Sequence, residues 1–348
     1  MYRVYLDQWA WIELAKAASG KSTRPAFSAF LEIARYGVEH GYLAFPVSVV
    51  HYMELANTAN ARQRRDVGEI MHELSRDQRM ISPISSVISA EFDAALHKRY
   101  GVPEFPRAVQ IFGLGVGHAF GMGSIAGRLV SREGHPAEPI DPVLKAKIET
   151  WANDYLEKEL LCGPRKGETI PGYDPNAHKV FAEKFVKAEE DQAKKFQKFN
   201  VDSAYQKRVL TAREWILLNE EIAGEALIRA GIDPVWFFEQ GAEFLTDFLK
   251  DLPIIYAQVE MRRLQHQNKE RKWSTHDHYD VVALSMAVVH CDAVVTEKHW
   301  AHLLRLAKLD KMNQTRIVDG KSLQQLVSHL LTVPVPSWRV TTALGKRE

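Results

Sequence analysis

Apolar positions in the first sixty residues alternate between two spacings. Arg3–Leu6 is a short aromatic and β-branched run that ends at Asp7, the pattern of a buried strand. Gln8–Ala18 then sets Trp9, Ile12, Leu14 and Ala15 as apolar helical positions and stops at Gly20. Phe27–His40 predicts a second amphipathic helix closed by Gly41. Tyr42–Val47 predicts a second strand, and Ser48 predicts the N-cap of a helix carrying Val49, Val50, Met53 and Glu54. A strand–helix–helix–strand–helix opening points to an α/β fold with a parallel sheet.

The pattern changes in the middle. From about Ala61 to Lys250 there is little strand signal. Helical periodicity recurs over Val143–Leu161, Ala177–Phe199, Ser203–Ala230, Pro234–Leu249 and Pro253–Gln265, with a polar loop at Gly163–Pro175. The α/β character then returns with a helix over Asp277–Val289, a buried strand over Ala293–Thr296, a helix over Lys298–Leu309, a strand over Arg316–Val318 and a helix over Ser322–Leu331. The expected organisation is therefore a core made of residues 1–60 and 251–348, interrupted by a large all-helical insertion over 61–250.

Acidic residues fall at particular places in this pattern. Asp7 ends the first strand, Glu54 lies one to two turns into the helix after the second, and Glu297 directly follows the strand Ala293–Thr296. Asp277 and Asp280 are three apart at a helix start, so they share a face. Open parallel sheets bind ligands beyond the carboxyl ends of their strands. Taken singly, Asp7 reads as a turn or N-cap residue, Glu54 as a solvated helix residue and Asp277 as a helix cap. Taken as an ordered set, carboxylates brought together repel one another unless a cation neutralises them, and hard oxygen donors select Mg²⁺ or Mn²⁺ over zinc.

The string DHYDVVALSMAVVHCDAVVTEKHW (Asp277–Trp300) resembles the C-terminal signature of PIN-domain nucleases. VYLDQWAWIELA (Val4–Ala15) is similar to that family's opening strand with its terminal Asp, and FPVSVVHYMELAN (Phe45–Asn57) to its second strand and Glu-bearing helix. The resemblance implies a parallel sheet flanked by helices and Mg²⁺- or Mn²⁺-dependent endonucleolytic cleavage of single-stranded or structured RNA, less often DNA. It implies Asp7, Glu54 and Asp280 as metal ligands and catalytic acids, with Asp277 beside them. Glu297 takes the last acidic place, and Thr296 helps position its loop. Glu297 departs from the family pattern, where an Asp one place later is common. The resemblance does not extend to residues 61–250. Two other readings stay open: a PIN-like scaffold or binding module acting through its helical part, and a structure-specific DNase.

Composition and charge add limits. The 348 residues are 46% hydrophobic and 26% charged, which gives ample material for a core, and the formal net charge is +1. Any grip on nucleic acid must therefore come from local basic runs. Of these, Arg62–Arg65, Lys194–Lys198 and Arg262–Lys272, the last directly precedes the acidic helix. Arg262, Arg263, Arg271 and Lys272, with Lys298 and His299, are the candidate phosphate contacts. The Gly-rich stretch Ala108–Gly127 is uncharged but short of Leu and Ile, so it reads as a buried or loop-forming segment and not as a membrane span; its Gly113–Gly123 part lacks the spacing of a nucleotide-binding loop. Two cysteines, Cys162 and Cys291, are too few for a disulfide framework, and no signal peptide precedes Tyr2–Leu6, so a cytoplasmic setting is expected. The expected partners are RNA, a second copy of the chain, and an inhibitor or antitoxin protein, with no membrane.

Overall fold

In the computed structural model β1 (Tyr2–Leu6), α1 (Gln8–Ala18) and α2 (Pro25–Glu39) follow the apolar spacing closely. The strand expected over Tyr42–Val47 is instead two, β2 (Leu43–Ala44) and β3 (Val47–Ser48). Between them lies Pro46, which has no N–H to give to a ladder. Next come α3 (Val49–Ala56), α4 (Ala61–Ser75), β4 (Gln78–Met80), α5 (Ser85–Tyr100), β5 (Phe112–Leu114) and α6 (Gly115–Ala119). The long helices α7 (Pro142–Cys162), α8 (Lys179–Lys198) and α9 (Ser203–Leu218) are followed by α10 (Gly224–Arg229), α11 (Pro234–Glu239), α12 (Ala242–Phe248), α13 (Pro253–Gln267) and α14 (Thr275–His290). The chain then runs through β6 (Ala293–Val295), α15 (Lys298–Leu306), α16 (Leu309–Met312), β7 (Arg316–Val318) and α17 (Leu323–Leu330). The fold is mixed α/β with helix predominant. Residues 1–76, 78–81, 85–103, 109–121, 141–163, 179–218, 222–268 and 271–334 are described; the tail after Pro334 and most of Gly163–Pro175 lie outside them.

Two expected helices are broken by left-handed residues. Gly241, with φ +87°, separates α11 from α12, and Lys308, with φ +59°, separates α15 from α16. The chain divides by contacts into two units: residues 1–81, 112–175 and 321–348 form unit 1, and residues 82–111 and 176–320 form unit 2. This division does not follow the sequence boundaries near 60 and 250. Helix α4, inside the segment read as an insertion, packs with α1 and α2 of the N-terminal part, and α7 packs with α3 and α4. The strands β4 and β5 also lie in that segment, where little strand signal is visible; each is only three residues long.

In unit 1, β1 pairs in parallel with β2 (Tyr2 opposite Leu43, Arg3 opposite Ala44). A second sheet orders β3, β4 and β5, parallel then antiparallel, with Arg79 opposite both Val47 and Gly113. Trp11, Leu14, Phe27, Phe30 and Phe45 are buried around these strands. Gly68 lets α4 approach the end of α7: a Cβ there would lie 2.8 Å from the Leu161 backbone carbon. Gly113, in the Gly-rich stretch, faces the His118 ring, which a Cβ would meet at 2.4 Å. Close packing is thus what two of the unit's glycines serve. Among the described residues no helix is long and apolar enough to cross a membrane; Gly-rich residues 122–127 lie outside them.

In unit 2, β6 and β7 form a parallel pair, with Ala293 opposite Arg316 and Val295 opposite Val318. The aromatic core joins Phe92, Trp215, Phe237 and Phe248, with Phe92 and Phe248 centroids 5.3 Å apart. Helix α13 packs against α9 and α14. At its start the Glu91 carboxyl meets the Ile254 N–H at 3.4 Å, while the other oxygen, Oε1, is buried with no hydrogen-bond partner among the described residues. Burial pushes this carboxyl up to about 8, the Ile254 N–H opposing. A folded-state value above the unfolded one means stabilisation that is full below about pH 4.5 and lost as pH rises through about 8. Glu91→Gln is therefore expected to gain on the wild type by about 4 kcal/mol between pH 5 and pH 8.5. Urea unfolding at the two pH values checks this; a constant gap contradicts it.

Candidate functional site

Unit 1 contributes Asp7 and Glu54. Asp7 is the residue at which the β1 backbone turns into α1. Its Oδ1 accepts the Ala10 N–H at 3.0 Å, so it is the N-cap of α1 as well as a strand-end acid, and it is 6% exposed. Glu54 is half-buried in the second turn of α3. Ser48 starts that helix, as expected. Its backbone N–H donates to His51 Nδ1 at 3.0 Å, and its hydroxyl lies 3.2 Å from the same nitrogen and 3.2 Å from the Tyr5 hydroxyl. His51 Nε2 donates to the Leu6 carbonyl at 2.8 Å. Burial drives the His51 imidazole down to about 4, with Arg79 adding to the effect against the opposing pull of its backbone hydrogen bonds, so it is neutral at pH 7.

Unit 2 contributes the other acids. Ser274 and Asp277 cap α14 reciprocally: Ser274 Oγ accepts the Asp277 N–H at 3.3 Å, and Asp277 Oδ2 accepts the Ser274 N–H at 2.7 Å and its hydroxyl at 2.9 Å. The other oxygen, Oδ1, accepts from Arg271 Nη2 at 2.7 Å. Asp277 is fully buried, with both oxygens engaged in holding the start of the helix. Asp280, one turn on and half-buried, accepts the Trp300 indole N–H at 2.6 Å. Glu297 is exposed and follows β6 after Thr296. The Thr296 N–H extends the ladder to Val318 O at 2.9 Å, while its hydroxyl is buried with no hydrogen-bond partner among the described residues.

The basic run before α14 does not form one exposed face. Arg262 is 6% exposed and pairs with Glu214, with Glu189 at 3.9 Å. Arg263 pairs with Glu260 at 2.6 Å and also reaches Ser203 at 2.8 Å. Arg271 holds Asp277 and lies over the Trp300 ring, 5.7 Å from its centroid. The reason is desolvation: an arginine drawn into a helical interior is retained only where carboxylates meet it. The buried Glu189 carboxylate is held at about 2: burial opposes this, but the His266 hydrogen bond, Arg262 and Arg213 together outweigh it. Arg262 and Arg263 are thus paired with carboxylates inside the unit. Lys272 and Lys298 remain exposed. His299 donates to Gln265 Oε1 at 2.6 Å, and burial, aided by Arg271, lowers it to about 4. It lends no positive charge at neutral pH. In the first basic run Arg64 is likewise drawn in, donating to the Leu160 carbonyl at 3.0 Å at the end of α7.

His51 and Asp319 bear on these positions without having been singled out, and Trp300, which flanks the acidic motif in the sequence, acts as a tether. His51 and Trp300 each fasten a site acid or its neighbour; no local signal marks a buried His or Trp as a tether. Asp319 directly follows β7, as Glu297 follows β6 after one residue, and it accepts from Arg305 at 3.3 Å. An acid straight after the run Arg316–Val318 is the signal that would have found it.

The donors in both units are carboxylate oxygens, joined by the buried Thr296 hydroxyl, and oxygen donors of this kind suit a hard divalent ion. Among the described residues no group of three or more His, Cys, Asp or Glu side chains is gathered so as to hold a metal ion. No family model, no curated protein and no solved structure matches the chain.

Proposed function

We propose that the chain is a divalent-metal-dependent endoribonuclease of PIN-like design that hydrolyses phosphodiester bonds of single-stranded or structured RNA. The observation that supports this most is the placing of acids where parallel strands end: Asp7 after β1 in unit 1, and Glu297 just beyond β6 in unit 2. Ligands of parallel α/β folds gather at such ends. Glu54 and Asp280 add carboxylates in the second turns of α3 and α14.

In this reading Asp7 and Glu54 in unit 1, and Asp280 and Glu297 in unit 2, are the carboxylates that would be offered to Mg²⁺ or Mn²⁺. The ion would supply a polarised phosphodiester and an activated water. Trp300 orients Asp280 through its indole N–H. Asp277 serves as the cap that sets the helix carrying Asp280. The exposed Lys272 and Lys298 are the cations available for phosphate contacts, which position a strand without reading its sequence.

The test is incubation of the pure protein with labelled RNA in Mn²⁺ and in EDTA, beside Asp7→Asn and Asp280→Asn. Cutting that needs Mn²⁺ and fails in both variants supports the proposal. Cutting that persists in EDTA, or is undiminished in both variants, ends it. A matched DNA oligonucleotide separates an RNase from a DNase.

One observation favours a second reading, that of a PIN-like binding module with a weak site. Arg262, Arg263 and Arg271, three of the expected phosphate contacts, are committed to internal carboxylates. A module of that kind shows no thermal shift with Mn²⁺, whereas a nuclease shows one that disappears in Asp7→Asn.

A further inference from the structure

We infer that His51 is a positioning residue for the proposed hydrolysis: one imidazole, held in one tautomer, sets both the peptide leading into Asp7 and the helix carrying Glu54. The inference rests on the function proposed above. Its geometry lies wholly within unit 1.

His51 is the third residue of α3 and is completely buried. A backbone amide can only donate, so the Ser48 N–H at 3.0 Å requires an unprotonated Nδ1. A carbonyl can only accept, so Leu6 O at 2.8 Å requires the proton on Nε2. The two contacts together admit a single neutral form. The Leu6 carbonyl belongs to the peptide group that joins Leu6 to Asp7. Fixing it fixes the plane from which Asp7 leaves β1. Glu54 follows His51 by three residues and so shares its side of the helix.

The Ser48 hydroxyl, 3.2 Å from Nδ1 and 3.2 Å from the Tyr5 hydroxyl, adds a second tie between the end of β1 and the start of α3. The rings of Tyr5 and Trp11 enclose the imidazole, with centroids at 5.2 and 6.2 Å. A phenylalanine would fill the same space and make neither hydrogen bond. Packing alone thus does not account for a histidine here. A group that aligns two carboxylate-bearing segments does what an outer-shell hydrogen-bond partner does at a metal site, where its loss weakens the site without removing a ligand.

The experiment compares His51→Gln and His51→Asn with the wild type. The glutamine amide reaches the position of Nε2 and keeps a donor for Leu6. The asparagine keeps an acceptor near Nδ1 and falls short of Leu6. The Mn²⁺ concentration giving half-maximal RNA cleavage is expected to rise about 10–100-fold in His51→Asn, with KM for RNA unchanged. In His51→Gln it is expected to stay close to the wild-type value. The Mn²⁺-induced thermal shift, read without RNA, is expected to follow the same order.

A wild-type metal midpoint in His51→Asn, with Asp7→Asn losing the response, overturns the role of His51 and leaves the proposed function standing. A wild-type protein that gives no Mn²⁺ response overturns both. Should His51→Asn fail to fold, ¹⁵N NMR of the wild-type imidazole decides: Mg²⁺ is expected to shift the Nε2–H resonance, and a resonance unmoved at saturating Mg²⁺ refutes the inference.

Discussion

Asp7→Asn is expected to lower Mn²⁺-dependent RNA cleavage on the order of 10²–10³-fold, the scale seen when one preorganised electrostatic group is removed from a reacting site. The fold should survive the change. Asparagine caps helices about as well as aspartate, and its carbonyl can still accept the Ala10 N–H that Asp7 Oδ1 accepts at 3.0 Å. What is lost is the negative charge. Asp280→Asn makes the same argument in unit 2, because its carbonyl can still accept the Trp300 indole N–H. Single-turnover cleavage over an Mn²⁺ series, with urea unfolding to confirm intact stability, measures both. Undiminished cleavage by a folded variant would show that its carboxylate takes no part.

The second large effect is on stability. Arg79→Met is expected to cost unit 1 about 3–5 kcal/mol, the usual penalty for leaving one partner of a buried ion pair alone. Arg79 is fully buried on β4. It gives Nη2 to Glu157 at 2.7 Å, Nη1 to Ser75 Oγ at 2.9 Å and to the Gln78 carbonyl at 3.0 Å, and Nε to the Tyr52 hydroxyl. Glu157, 2% exposed on α7, also takes the Tyr52 hydroxyl and the Val116 N–H at the start of α6. Burial, with Glu157 adding to it and Arg79 opposing, pushes the Tyr52 phenol well above its ordinary value, so it stays a donor to the carboxylate. Without Arg79 that carboxylate is a buried charge with no counter-ion. Glu157→Gln in the same background removes the charge and is expected to restore part of the loss. Urea unfolding of the single and double variants checks both statements; a loss under about 1 kcal/mol for Arg79→Met would mean that water or a rearranged partner takes its place.

The network also bears on the candidate site, because Tyr52 lies two residues before Glu54 on α3. Removing Arg79 loosens the helix that carries this acid as well as the sheet below it. A drop in cleavage by Arg79→Met at temperatures where the protein is still folded is the corresponding functional sign.

Much of the fold was legible in the chain because it depends on neighbours. The period of apolar residues marks α1, α2 and α14, a terminal Asp marks the end of β1, and a Ser marks the start of α3. The capping by Ser48 and Ser274 is likewise a matter of four consecutive positions. Short elements were less legible: β4 and β5 have three residues each, too few for alternation to stand out. The break of one expected strand into β2 and β3 was written in Pro46, yet a proline also sits at strand edges, so only the pairing itself separates the two cases.

The residue types of the site, and their order after strands and within helices, come from the sequence by itself. Tertiary structure alone decided what each charge does. Arg262 looks like any other member of its basic run, and it becomes a buried partner of Glu214 only because residues 48 apart meet in the interior, where burial strips a charge of its solvation. Arg79 and Glu157 are 78 apart and come to the same end. His51 is neutral and Glu91 keeps its proton for the same reason: the cost of a charge depends on what surrounds it in space, and neighbours along the chain carry no record of that.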